Sequence, residues 1–169
     1  MKPIQALLAV AALVGTTTAA SATELPQPTE TVVLTVSGDI DVTNEAETAQ
    51  FDLAMLRELD ETTFTTNTPW TEGERTFTGA SLAALVTVLK IEDGTLAATA
   101  INDYAIEIPV SDAVDGGPIV AYEMDGQPMS VRDKGPLWIV YPYDANEDYR
   151  SELTYSRSIW QLDRIVVTR

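Results

Sequence analysis

The sequence predicts a mixed α+β domain, mainly β, with two or three short helices. Three observations carry that prediction. Short runs rich in apolar and β-branched residues recur along the chain, turn signals separate them, and one segment has clear amphipathic helical spacing. That segment holds Leu82, Leu85, Val86 and Leu89 at i, i+3, i+4 and i+7, which sets all four on one helical face.

Val32 to Val36 forms the first expected strand, followed by a turn at Ser37-Gly38-Asp39. Ala49 and Phe51 suggest a brief strand feeding a helix; Asp52 is its candidate N-cap, with Met55 and Leu59 on one face and Leu56 beside them. Thr62 to Thr68 is rich in β-branched residues and predicts another strand, before a polar loop from Thr71 to Arg75 around Gly73. Gly79 or Ser81 caps the helix that carries the Leu82–Leu89 stripe, and Asp93-Gly94 ends the segment. Leu96 to Ile101 predicts a buried strand. Tyr104, Ile106 and Ile108 alternate in the next, which Pro109 ends. A helical turn at Ser111 to Val114 and a turn at Gly116-Gly117-Pro118 lead to a strand from Ile119 to Met124. Asp125-Gly126 signals a hairpin. A charged loop from Ser130 to Pro136 precedes a strand from Leu137 to Tyr141, and an acidic loop runs from Tyr143 to Arg150. Ser158 to Val167 closes the chain as one strand or a pair.

Lys2, the apolar run Ile4 to Val14 and Ala20-Ser21-Ala22 have the order of a secretory signal, expected over residues 1–22. The run is well short of the roughly 18–20 residues of a spanning helix. Residues 23–31, with Pro26 and Pro28, are expected to be a linker, and residues 32–169 one domain. The expected location is the periplasm.

Without Lys2, nine cations face 26 acidic side chains, a net charge of −17. Such a balance disfavours nucleic acid and anionic membrane surfaces, which bind through clustered Lys and Arg. The absence of cysteine removes disulfides as a source of stability, and the absence of histidine removes imidazole catalysis and the usual zinc sites. Ser81 in GASLA therefore has no histidine to activate it. Asp39, Asp41, Glu45 and Glu47 are too sparse a set for a calcium loop.

The remaining candidates are polar and aromatic residues near loops. Arg132, Asp133 and Lys134 are consecutive charges beside Gly135, either a solvated loop or an anion- or ring-binding one. Among the tryptophans, Trp138 lies inside the apolar run LWIVY, where core packing competes with binding. Trp70, between Pro69 and a polar loop, is better placed to expose its ring. Asn102-Asp103-Tyr104 joins two expected strands, as an Asx turn or as an amide and a carboxylate at a pocket rim.

Five strings follow one another between about Phe77 and Val167: FTGASLAAL, INDYAIEIP, IVAYEMDGQPMS, RDKGPLWIVYP and SRSIWQLDRIVV. In that order they resemble the molybdopterin-binding domain of the sulfite oxidase family. The third is similar to its AY-x-M-[ND]-G-x-P-L strand and turn, the fourth to HGxPLRxxxP and the fifth to SVKWLxxI. The resemblance implies the sulfite-oxidase, molybdopterin-binding fold. It also shows departures. The family's molybdenum-binding cysteine is expected near Thr66–Thr68, the histidine and arginine of HGxPLR correspond to Lys134 and Trp138, and the lysine of SVKWL to Trp160 or Ile159. Thiolate is the soft ligand such a metal needs.

The chain resembles short, cysteine-less periplasmic members that bind a pterin and regulate a membrane-bound cyclic-di-GMP enzyme. That resemblance implies a non-redox sensor, a pterin ligand without molybdenum, and an inner-membrane signalling partner with a periplasmic domain. The implied ligand contacts are Asn102 or Asp103 on the pyrimidinone edge and Trp70 and Tyr104 stacking or lining, with Trp138 also in the site. Arg132, Lys134 and Arg157 would hold polar oxygens. Two competing expectations are a molybdopterin-dependent oxidoreductase, or a subunit of one, and an interaction protein with a collapsed pocket.

Overall fold

A computed structural model describes residues 25–169; the expected signal segment lies outside the described residues. Ten strands form two sheets: β1 (Val32–Gly38), β2 (Ala49–Asp52), β3 (Glu61–Asn67), β4 (Glu74–Ser81), β5 (Thr95–Ala100), β6 (Ala105–Pro109), β7 (Ile119–Met124), β8 (Gln127–Pro128), β9 (Trp138–Val140) and β10 (Leu162–Thr168). Among the described residues, three short helices, α1 (Leu53–Glu58), α2 (Leu82–Val88) and α3 (Glu152–Arg157), join these strands in a mixed α+β architecture. The first sheet runs β2-β1-β10-β5-β6, with β1 and β10 parallel and the other pairs antiparallel. The second runs β3-β4-β7, and β7 is flanked at different points by β8 and β9.

Alternation sets the buried faces. Leu34 and Val36 of β1, Leu96 and Ala98 of β5, and Ile165 and Val167 of β10 all turn into one core. Asp52 ends β2 and caps α1 as its sequence position predicts: its carboxylate accepts from the Met55 N–H at 2.8 Å. The same carboxylate accepts the N–H groups of Thr29 at 2.7 Å and Glu30 at 3.0 Å. The segment read as a linker is therefore laid against the domain from the buried Leu25 onward. The Met55 N–H above all, then those of Thr29 and Glu30, hold the Asp52 carboxyl below its ordinary range against the opposing effect of burial.

Two elements differ from expectation. The polar loop after Trp70 gives way at Glu74 to β4, which is paired on both sides by β3 and β7. Gly79 lies within that strand, two residues short of the cap position of α2; a Cβ there would lie 2.3 Å from the Val120 carbonyl oxygen, so the close approach of β7 requires glycine. Ser81 is the cap, accepting from the Ala84 N–H at 3.4 Å. The second difference is α3, which starts at the Ser151 cap inside a polar stretch.

The expected hairpin at Asp125-Gly126 joins β7 to β8, with φ of 54° and 73° at the two turn residues. Beyond it, the segment before β10 is stitched to both sheets. Ile139 N–H donates to the Ile159 carbonyl at 2.9 Å, Leu162 N–H to Leu137 at 3.0 Å, and Ile101 N–H to Gln161 at 2.9 Å. Trp160, paired with Trp138 in a single bridge, is thereby fixed between β9 and the β5–β6 turn.

Candidate functional site

A cavity of about 610 Å³ opens where the β5–β6 turn, the loop before β4, α3 and the 158–160 segment meet. That volume is in the range of small-molecule sites. Trp70, Tyr155 and Trp160 form its aromatic wall, and Asn102, Tyr104, Glu152, Ser156 and Ser158 contribute its polar groups.

Trp70 is held by its own loop. Its N–H donates to the Thr68 hydroxyl at 3.1 Å, and that hydroxyl bonds the Thr71 hydroxyl at 2.8 Å. Its indole meets Trp138, Tyr143, Tyr155 and Trp160 edge-on, with centroids 5.6–6.4 Å apart. Behind this wall, Trp138 Nε1–H donates to the Ser158 carbonyl at 3.2 Å. The Ser158 hydroxyl donates to the Thr154 carbonyl at 2.9 Å and bonds the Tyr143 phenol at 2.5 Å. Burial pushes the Tyr143 phenol up to about 12.

The residues singled out in the sequence separate into two groups. Trp70, Asn102 and Tyr104 line the cavity. Asn102 closes an Asx turn, its Oδ1 accepting from the Tyr104 N–H at 3.2 Å, so its Nδ2 is left as a donor. The others lie outside the lining. Asp103, at φ 65°, accepts from Arg164 with its side chain 83% exposed. Arg132 is exposed on the short 3-10 turn Val131–Asp133. Trp138 is fully buried behind Trp70. Lys134 stands against the same wall, its Nζ 5.7 Å from the Trp138 ring centroid and 5.6 Å from that of Trp160. Arg157 pairs with Asp112 at 2.9 Å, and Asp112 also accepts the Tyr141 hydroxyl at 2.8 Å.

Glu152, Tyr155, Ser156, Ser158 and Trp160 were not among the site residues expected from the sequence. All but Ser158 and Trp160 lie on α3, whose polar pattern gives no periodic signal; Trp160 stands in the sequence only as a counterpart of the lysine of SVKWL. At the expected metal-ligand stretch, Thr66 is buried. Its hydroxyl accepts from the Asp144 N–H at 3.1 Å and donates to the Asp144 carboxylate at 3.3 Å. Asn67 N–H donates to the same carboxylate at 2.6 Å, and this bond foremost holds the Asp144 carboxyl below its ordinary range. Among the described residues, no three acidic side chains cluster closely enough to hold a metal ion.

A family model described as oxidoreductase molybdopterin binding domain matches residues 7–145. Among solved structures, the sulfane dehydrogenase SoxCD from Paracoccus pantotrophus is similar in fold, with a TM-score of 0.59 and 15% identity. The match covers 79% of this chain and 37% of that one, so this chain spans well under half of that relative's length. No curated protein matches the chain.

Proposed function

This chain belongs to the oxidoreductase molybdopterin-binding domain family, and from that premise we propose that it is a pterin-binding module that works without molybdenum. The observation that carries this reading is the tryptophan- and tyrosine-walled cavity, in a fold whose family binds a pterin cofactor. A flat heterocycle suits such a wall, because aromatic faces and edges recognise a ring without needing charge.

The donor set does not fit the metal. The sequence has no cysteine and no histidine; the Thr66 hydroxyl is engaged with Asp144 and the Thr68 hydroxyl with Thr71 in its own loop. Hydroxyls are poor substitutes for the soft thiolate that a molybdenum centre of this family uses. The residues also favour a ligand without phosphate. Among the described residues no cation lines the cavity, and the chain's net charge of −16 opposes anions.

The wider reading is of a periplasmic sensor whose occupancy is passed to an inner-membrane protein with a periplasmic domain. It is supported by the signal-like pattern of residues 1–22 and by the resemblance to cysteine-less pterin-binding members.

A thermal-shift titration with reduced and oxidised pterins tests the binding reading. A ligand at ~100 times its dissociation constant stabilises the folded chain by about 2.7 kcal/mol. For a domain of this size that raises the melting midpoint by several degrees. A saturable rise with one pterin class is expected; no rise with any pterin contradicts the reading.

A further inference from the structure

We propose that Glu152 selects the ligand by its pyrimidine edge, accepting the N3–H and one 2-amino N–H of a 2-amino-4-oxo ring through its two carboxylate oxygens. This rests on the pterin reading and adds to it the group that distinguishes a pterin from other pteridines.

Among the described residues, Glu152 is the one carboxylate that lines the cavity. Among the described residues its side chain makes no hydrogen bond and no ion pair. By contrast Asp103, the carboxylate favoured by sequence position, is taken by Arg164 outside the lining. Glu152 is exposed at the start of α3, and the helix that carries it is held at both ends. The Ser151 hydroxyl accepts the Thr154 N–H at 3.2 Å at its start, and Arg157 pairs with Asp112 at 2.9 Å at its end.

The chemistry is complementary. An ionised carboxylate only accepts, and two parallel N–H groups match its two oxygens. A pterin edge presents two donors followed by the 4-oxo acceptor. Asn102 supplies the remaining partner, since its Oδ1 is used by Tyr104 and its Nδ2 is free to donate to that oxygen. Lumazine has the same bicycle with a 2-oxo group in place of the 2-amino group. It would turn a carbonyl oxygen against Glu152, a repulsion that acts as specificity.

Isothermal titration of the full chain at pH 7 with pterin and with lumazine tests the assignment. The wild type is expected to prefer pterin by about tenfold or more, the scale on which a missing hydrogen-bond partner discriminates. In Glu152→Gln the carboxamide offers one acceptor and one donor, which matches lumazine, so the preference is expected to collapse or reverse. Glu152→Ala is expected to lose pterin affinity without gaining lumazine affinity. If Glu152→Gln keeps the wild-type preference, or the wild type binds both ligands equally, the Glu152 assignment is overturned while the pterin reading stands. If the wild type binds neither, the pterin reading itself fails, and the assignment with it.

Discussion

The indole of Trp70 stands edge-on to two other indoles, with its ring centroid 5.6 Å from Trp160 and 5.9 Å from Trp138, and those two meet each other edge-on at 6.3 Å. Trp160 is 38% exposed and Trp138 is not exposed at all. The three rings form one closed cluster that joins the core to the wall of the cavity. The two flanking rings have different work: Trp138 fills volume, and Trp160 offers surface to a ligand.

That division gives a paired prediction. Trp138→Ala removes a fully buried indole and is expected to cost about 3–5 kcal/mol of stability by urea denaturation. Trp160→Ala is expected to cost only about 1 kcal/mol, in line with its exposure, while lowering pterin affinity about tenfold through the lost ring contact. A large stability loss at Trp160 with unchanged binding would reverse the two roles.

Asp52 predicts an acid-sensitive element. Its folded-state carboxyl is held below the ordinary value, so the stability it contributes is complete above that ordinary value and is lost as pH falls through the depressed one. Asp52→Ala is expected to lower stability at pH 7 by about 1–2 kcal/mol through the lost cap. The gap between variant and wild type is expected to narrow as the pH is taken below 4. A gap that stays constant down to pH 2 would mean that the carboxylate charge contributes nothing.

The buried phenols predict the alkaline limit. Burial first, and then hydrogen bonding to Asp112, raises the Tyr141 phenol. Burial and Glu61 do the same for Tyr122, and burial pushes Tyr143 up to about 12. Their contribution is full below the ordinary phenol value of about 10 and is lost as pH rises through the raised ones. Stability is expected to decline above pH 10, with a jump in phenolate absorbance when the chain is unfolded by urea at pH 11. The absence of that jump would place these hydroxyls in water.

The Arg157–Asp112 pair anchors the helix that carries Glu152 and Tyr155. Both side chains are less than one-fifth exposed, at 19% and 18%. Arg157→Ala leaves the Asp112 carboxylate without its cation and is expected to cost about 2–3 kcal/mol, somewhat less than for a fully buried pair. Pterin binding is expected to weaken as α3 loosens, and Arg157→Lys is expected to recover part of both losses. Weaker binding with unchanged stability would instead indicate direct ligand contact by Arg157.

Much of the fold was legible because local chemistry and tertiary structure agree. Ile119 to Met124 and the Asp125-Gly126 turn appear at the expected residues, since the turn requires positive φ at both positions and those residue types tolerate it. The Asp52 cap was legible for the same reason. Strand β4 was hidden because Gly79 and Ala80 carry little β signal; backbone approach to β7 fixes the strand there. Helix α3 was hidden because its six residues carry no apolar stripe, with Leu153 58% exposed.

The site divides in the same way. Trp70, Asn102 and Tyr104 were accessible to sequence reading as an aromatic after a proline and a turn between strands. Glu152 was not, because an acidic residue in a helix's first turn is ordinary and only the docking of α3 brings it to the cavity. Asp103 and Arg157 carried suitable chemistry but are matched by Arg164 and Asp112, partners far away in sequence.

The most direct measurement is a calorimetric titration of the full chain with a neutral, phosphate-free tetrahydropterin, run beside Trp160→Ala. A saturable one-to-one heat in the wild type, weakened about tenfold in the variant, is the predicted result. No heat in the wild type, or equal affinity in both proteins, would contradict a pterin site built on this aromatic wall.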